Sequence, residues 1–371
     1  MAKKKPNYKL RRNLAKTFLV LIIIIPIVLI NRVKLAHLPL YLSNTKYTDI
    51  IDAMFEIKYT GSEAKSTLNY LKEKKKINDN TDDYILKLNT KGYSKNTIDY
   101  LIRNLNKSQI TDFLDKKYNK DFEEYIKLDL FKYSKYNRYT KYQSKHKDLS
   151  LEDVVIRVEL NMDKTYYEDS EFIKNPDEIT TLSNKYFEIP EDYEPKDLVE
   201  LDSEYVAPTC DHPQLRKVAA EALVKMIKDA KKEGMYLLLN SGYRSYEEQE
   251  KIYQETEQKY GGAYAAEYVA TPGASEHQTG LGIDMTSQSV VDKQRLVFGD
   301  TTEYKWVVEN CAKYGFIVRF TEGTDGITGI SHEPWHLRYV GKKVAKEIKD
   351  QNWTLEEYCL YKNVIPKFKK D

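Results

Sequence analysis

Apolar residues are spaced along this chain in three ways. Phe18 to Ile30 is an unbroken apolar run. Residues 45–145 are polar and rich in Lys, Asn and Tyr, with apolar positions at helical spacing, as in Ile98, Leu101, Ile102 and Leu105. Gly92-Tyr93-Ser94 and Ser108 read as helix starts there. Residues 146–200 carry Leu149-Ser150-Leu151-Glu152-Asp153, an apolar alternation, then Pro190 and Pro195, and read as a connecting lead-in. Beyond about 200, helical and strand periods follow one another. Asp211 as a cap, Pro213 in the first turn, and Leu215, Val218, Ala219, Ala222, Met226, Ile227 and Ala230 on one face predict a helix that Gly234 ends. Tyr236–Asn240 reads as a strand, and Ser245 with Glu248 is a capping-box signature for the next helix. Along Gly280–Thr286, Leu281, Ile283 and Met285 alternate with Gly282 and Asp284, the period of a strand. Thr302–Tyr314 reads as a helix ended by Gly315, and Phe316–Phe320 and Trp335–Val340 as strands. The expectation is an α+β domain over 201–360, a small antiparallel sheet with flanking helices, preceded by a helical spacer or interaction region at 45–145.

The apolar run changes the picture of where the chain works. Lys3, Lys4, Lys5, Lys9, Arg11, Arg12 and Lys16 precede it, and only Arg32 and Lys34 follow closely. That asymmetry places the N-terminus in the cytoplasm and the remainder outside. Leu14–Val33 reaches the ~20 residues of a transmembrane helix when Lys16 and Arg32 snorkel. Residues 1–34 are therefore expected to be a basic tail and signal anchor. The rival is a cleaved signal peptide with secretion, but no A-x-A site follows Ile30.

Composition excludes several classes. The 371 residues hold 59 Lys+Arg against 57 Asp+Glu, a net charge of +2, so a dedicated nucleic-acid binder is not expected. A 41% hydrophobic content excludes global disorder. Cys210, Cys311 and Cys359 form no CxxC pair, which argues against a disulfide scaffold or a Cys-rich zinc site.

The chemistry concentrates in the histidines. His332-Glu333-Pro334-Trp335-His336 spells the HExxH of helical zinc proteases, whose histidines must share one helix face. Pro334 disfavours helical geometry at Glu333, and the flanks alternate as a strand. The alternative joins distant segments. In Ser275-Glu276-His277-Gln278-Thr279-Gly280-Leu281-Gly282-Ile283-Asp284, a turn at Gly280 can fold His277 back toward Asp284, and His336 completes two imidazoles and a carboxylate. Three ligands leave a zinc position open, the mark of a catalytic site, with Glu333 nearby as a general base.

SGYRS at 241–245, SxHxxGxxxD at 275–284 and EPWHxRYVG at 333–341 stand in order and with intact internal spacing. With these motifs, residues 145–345 resemble the VanY-like zinc D-alanyl-D-alanine carboxypeptidases of bacterial cell walls. The resemblance implies one Zn2+ per chain on His277, Asp284 and His336, with Glu333 as catalytic base. It also implies that Arg244 binds substrate and stabilises the tetrahedral intermediate, and that Gln249 and Ser275 contact the peptide's C-terminal end. The partners it implies are peptidoglycan stem peptides, with the bacterial membrane held through the N-terminal helix. An L,D-carboxypeptidase or wall endopeptidase shares the same site residues. A non-catalytic wall-binding protein is the reading from another class. Gly282 stands where the family usually has alanine, from which a floppier strand is expected; His332 falls at a variable position. Glu276 is expected to be solvated, and Trp335 to be pocket wall or core.

Overall fold

Two units make up the chain, residues 1–129 and 130–371. A computed structural model describes residues 32, 34–165 and 171–366. Apart from Arg32, the expected anchor at Leu14–Val33 lies outside the described residues. Among the described residues no helix is long and apolar enough to cross a membrane.

The first unit is built of short helices, among them Thr48–Glu56, Gly61–Glu73, Thr81–Thr90, Lys95–Asn104 and Lys107–Asp115. Their apolar faces meet in a core that includes Ile51, Met54, Leu68, Leu71, Ile85 and Leu101. Ser94 caps the helix that carries Ile98 and Leu101. The helix expected at Ser108 starts at Lys107, because Asn106 and Gln109 close a reciprocal capping box one residue earlier.

In the second unit the apolar alternation after Ser150 is a helix face. Helix Leu151–Glu159 buries Val154, Val155, Ile156 and Val158 behind a Ser150 cap. Ile156 and Leu160 share a core with Ile173, Leu182, Phe187 and Ile189, and with Ile348 and Leu355 near the chain's end. Among the described residues, eight strands follow in three sheets. β1 (Glu171–Phe172) pairs parallel with β2 (Phe187–Glu188), and β3 (Leu198–Glu200) pairs antiparallel with β4 (Gln214–Arg216). The helix expected from Pro213 therefore begins only at Lys217. Leu215 sits opposite Val199 in the β3–β4 ladder and is fully buried, so strand pairing takes the residues that the apolar period had assigned to the helix.

β5 (Leu237–Ser241), β6 (Gly282–Ser287), β7 (Phe316–Phe320) and β8 (Glu333–Tyr339) form an antiparallel sheet in the order β5-β6-β8-β7. One face is apolar: Leu237, Leu239, Ile283, Met285 and Leu337 pack with Ala219, Leu223, Met226 and Ala230 of helix Lys217–Lys232. Strand alternation sends the intervening residues to the other face. On β6 and β8 these are Gly282 opposite Arg338 and Asp284 opposite His336. A mixed helix and strand fold with small sheets is thus the observed class.

Candidate metal centre

Register does what sequence spacing cannot. Asp284 and His336 are 52 residues apart in sequence but directly paired across β6 and β8. His336 Nδ1 lies 3.0 Å from Asp284 Oδ1. His277 comes from the short 3-10 turn Glu276–Thr279, which Gly280 ends in the left-handed region at φ 64. That reversal brings His277 Nε2 to 3.4 Å from Asp284 Oδ2. One donor atom from each of the three residues lies within 4.8 Å of the others. Zinc–ligand distances of about 2.0–2.2 Å require donors roughly 3.3 Å apart, so the cluster suits one tetrahedral ion.

The far side of each imidazole is also engaged. His277 Nδ1 is 2.6 Å from the Gly242 carbonyl, to which it donates, leaving Nε2 for a metal. His336 Nε2 is 3.4 Å from Glu276 Oε2, leaving Nδ1. Burial opposes the charge of Asp284, but His277 and His336 outweigh it and hold the carboxyl well below the usual range. Burial lowers the His336 pKa, yet Asp284 and Glu276 on its two sides push it up to about 9. A ring held between two carboxylates favours positive charge at this spot. Two imidazoles and a carboxylate are a donor set that zinc accepts.

These three donors open on a cleft of about 280 Å³, which Arg244, Gln249, Ser275, Glu333 and Trp335 also line. Arg244 stands before helix Tyr246–Tyr260, whose Ser245–Glu248 capping box is formed. Its Nη1 donates to Gln249 Oε1 at 2.8 Å and its Nη2 to Ser241 Oγ at 3.2 Å, while its buried Nε has no partner. Gln249 is fully buried and spends its amide nitrogen on the Ala270 carbonyl at 2.6 Å, so it braces Arg244 as well as lining the cleft. Burial raises the pKa of Glu333, with Asp284 and Glu276 adding to it and His336 opposing. Trp335 is exposed and forms a cleft wall. His332 is exposed, and the strand at Glu333–Tyr339 removes the helical geometry that an HExxH site requires.

A family model described as D-alanyl-D-alanine carboxypeptidase, VanY, matches residues 212–342. The putative carboxypeptidase YodJ of Bacillus subtilis (strain 168) is 45% identical over 207 residues, 54% of this chain and 76% of that protein. The Enterococcus gallinarum protein named bifunctional D-Ala-D-Ala dipeptidase and D-Ala-D-Ala carboxypeptidase VanXYC is 36% identical over 183 residues, 48% of this chain and 93% of that protein. This chain belongs to the VanY family of carboxypeptidases. The solved structure of the LdcB LD-carboxypeptidase is 45% identical, with a TM-score of 0.48, over 52% of this chain and 91% of that one.

At two positions in this VanY-family chain the structure shows surroundings that the sequence did not reveal. Glu276 is buried, not solvated: its carboxylate meets Arg319, Arg338 and His336, partners that no local pattern could assign to it. Gly282 is buried in close packing. A Cβ built there would stand 2.9 Å from the Glu276 carbonyl carbon and Cβ, so the missing side chain is what lets the ligand-bearing turn pack onto β6. Gly282→Ala is expected to force that turn away and cost about 1–3 kcal/mol, the usual penalty of overpacking. Thermal melts of the metal-free protein check this, and an unchanged midpoint would show that the turn yields freely.

Proposed function

We propose that this chain is a zinc-dependent D,D-carboxypeptidase that removes the C-terminal D-Ala of peptidoglycan stem peptides. The observation that carries this reading is the convergence of His277, Asp284 and His336 beside an arginine whose buried Nε is unpaired, all in one cleft. A carboxypeptidase must bind a free carboxylate, and the guanidinium of Arg244 suits it. When bound, zinc supplies a Lewis acid for the scissile carbonyl and makes water a stronger nucleophile. His277, Asp284 and His336 hold the ion. Glu333 takes a proton from the attacking water and delivers it to the departing amine as the C–N bond breaks, giving the shortened peptide and free D-Ala. Arg244 holds the terminal carboxylate and faces the negative charge that grows on the carbonyl oxygen.

The raised pKa of Glu333 supports that role, since a base that must later act as an acid works best with a pKa nearer neutrality. The names of the relatives support a D-Ala-D-Ala substrate. The basic flank and apolar run of residues 1–34 support a single-pass anchor with the catalytic unit on the outer side of a bacterial membrane.

Mass spectrometry of defined muropeptides incubated with the full chain tests the proposal. The expected product is a pentapeptide stem shortened by one alanine. Shortening of the tetrapeptide alone would make the enzyme an L,D-carboxypeptidase, and internal cleavage an endopeptidase. No turnover by zinc-loaded protein would leave a wall-binding function.

A further inference from the structure

Behind the metal ligands lies a buried network of four charged groups. Glu276 Oε1 accepts from Arg319 Nε at 2.8 Å and lies 2.9 Å from Arg338 Nη1, while its other oxygen faces His336 Nε2 at 3.4 Å. Arg319 turns the fork of its guanidinium to Glu356, Nη1 to Oε2 at 2.9 Å and Nη2 to Oε1 at 2.6 Å. Arg338 Nη2 donates to the carbonyls of Ile179 and Thr181 at 3.0 and 2.7 Å. All four side chains are essentially without solvent exposure. Glu356 stands on helix Leu355–Tyr361, beyond residues 212–342, which the family model matches.

Such a network is a poor means of stabilising a fold. Desolvating two carboxylates and two guanidiniums costs about what their pairing returns, and apolar side chains of similar volume often do as well. What apolar side chains cannot do is accept the N–H of a buried imidazole. We infer that Glu276 is a positioning residue that orients the His336 ring so that Nδ1 faces the metal, and that Glu356, acting through Arg319, holds Glu276 in place. This rests on the zinc-peptidase reading above.

The geometry explains the division of labour. One Glu276 oxygen is pinned by two guanidiniums from neighbouring strands, Arg319 on β7 and Arg338 on β8. The second oxygen is left to His336, whose other nitrogen points to Asp284. A flip of the ring would put Cδ2 where Nδ1 stands and Cε1 where Nε2 stands, and so lose both the Asp284 and the Glu276 contacts. Phe320 stacks on the His336 ring at 5.2 Å and 29°, which limits tilting but not a flip, so the flip is decided by hydrogen bonding. The four network charges sum to zero, so the network adds no net charge behind the three donors.

Zinc affinity of the full chain, measured against a chromophoric chelator, tests the inference together with thermal melts of the metal-free protein. Glu276→Gln is expected to weaken zinc binding about 10–100-fold, the usual loss when a partner behind a ligating histidine is changed. Glu356→Gln, which leaves every ligand contact untouched, is expected to weaken it in the same direction by less. Wild-type affinity in a folded Glu276→Gln would overturn the positioning role. A Glu356→Gln that lowers only the metal-free melting temperature would overturn the relay. Nitrogen-15 spectra of histidine in the zinc-loaded wild type decide the ring's orientation without any variant: a protonated Nε2 on His336 is expected, and a protonated Nδ1 would refute it. Failure of the wild type to bind zinc at all would instead sink the proposed function.

Discussion

Glu333→Gln lowers kcat by about 10²–10⁴-fold, the share that a positioned general base contributes, while the protein keeps its zinc. Glutamine preserves the shape of the side chain and removes only its ability to take a proton. Glu333 is not one of the three clustered donors, so the metal content read by elemental analysis should match the wild type. The sign of the pH dependence follows from the same residue. Burial raises its pKa, and the base works only when ionised. Activity therefore rises with pH through a limb lying above the ordinary glutamate value of about 4.3, and that limb is absent from the residual activity of the variant. Full turnover in Glu333→Gln would move the base to another group.

Removing the ion has the second large effect. A strong chelator abolishes turnover in the wild type, and added zinc restores it. Asp284→Ala binds no zinc and is not restored. Asp284 is the joint of the cluster, since its two oxygens face His336 at 3.0 Å and His277 at 3.4 Å. Taking it away deletes the only anion among the three donors. Elemental analysis and the muropeptide assay on the same preparations read both halves of the expectation. An Asp284→Ala protein with a full equivalent of zinc would mean that the ligand set lies elsewhere.

Some of this was legible along the chain because it is local. The Ser245–Glu248 box, the turn at Gly280 and the alternation of Leu281, Ile283 and Met285 each depend on neighbours a few residues away, and each is present. The start of helix Lys217–Lys232 was misread for a related reason. The apolar period at Leu215 serves a strand as well as a helix, and a partner strand at Leu198–Glu200 decided between them. Glu276 was misread because an acid beside a histidine looks exposed until its cations are known, and Arg319 is 43 residues further on. The close packing at Gly282 was not legible, because the Glu276 backbone that a Cβ would meet is brought there by the turn that Gly280 ends.

By itself the amino-acid sequence determined which donor atoms the protein owns, which of them flank turns, and which segments carry strand or helix periods. Those are consequences of covalent spacing and short-range sterics. Only the tertiary structure decided that β6 and β8 pair in the register that sets Asp284 against His336. It also decided that a helix near residue 356 reaches the back of the site through Arg319. Both depend on burial, and the free energy of burying a side chain is set by residues far away along the chain.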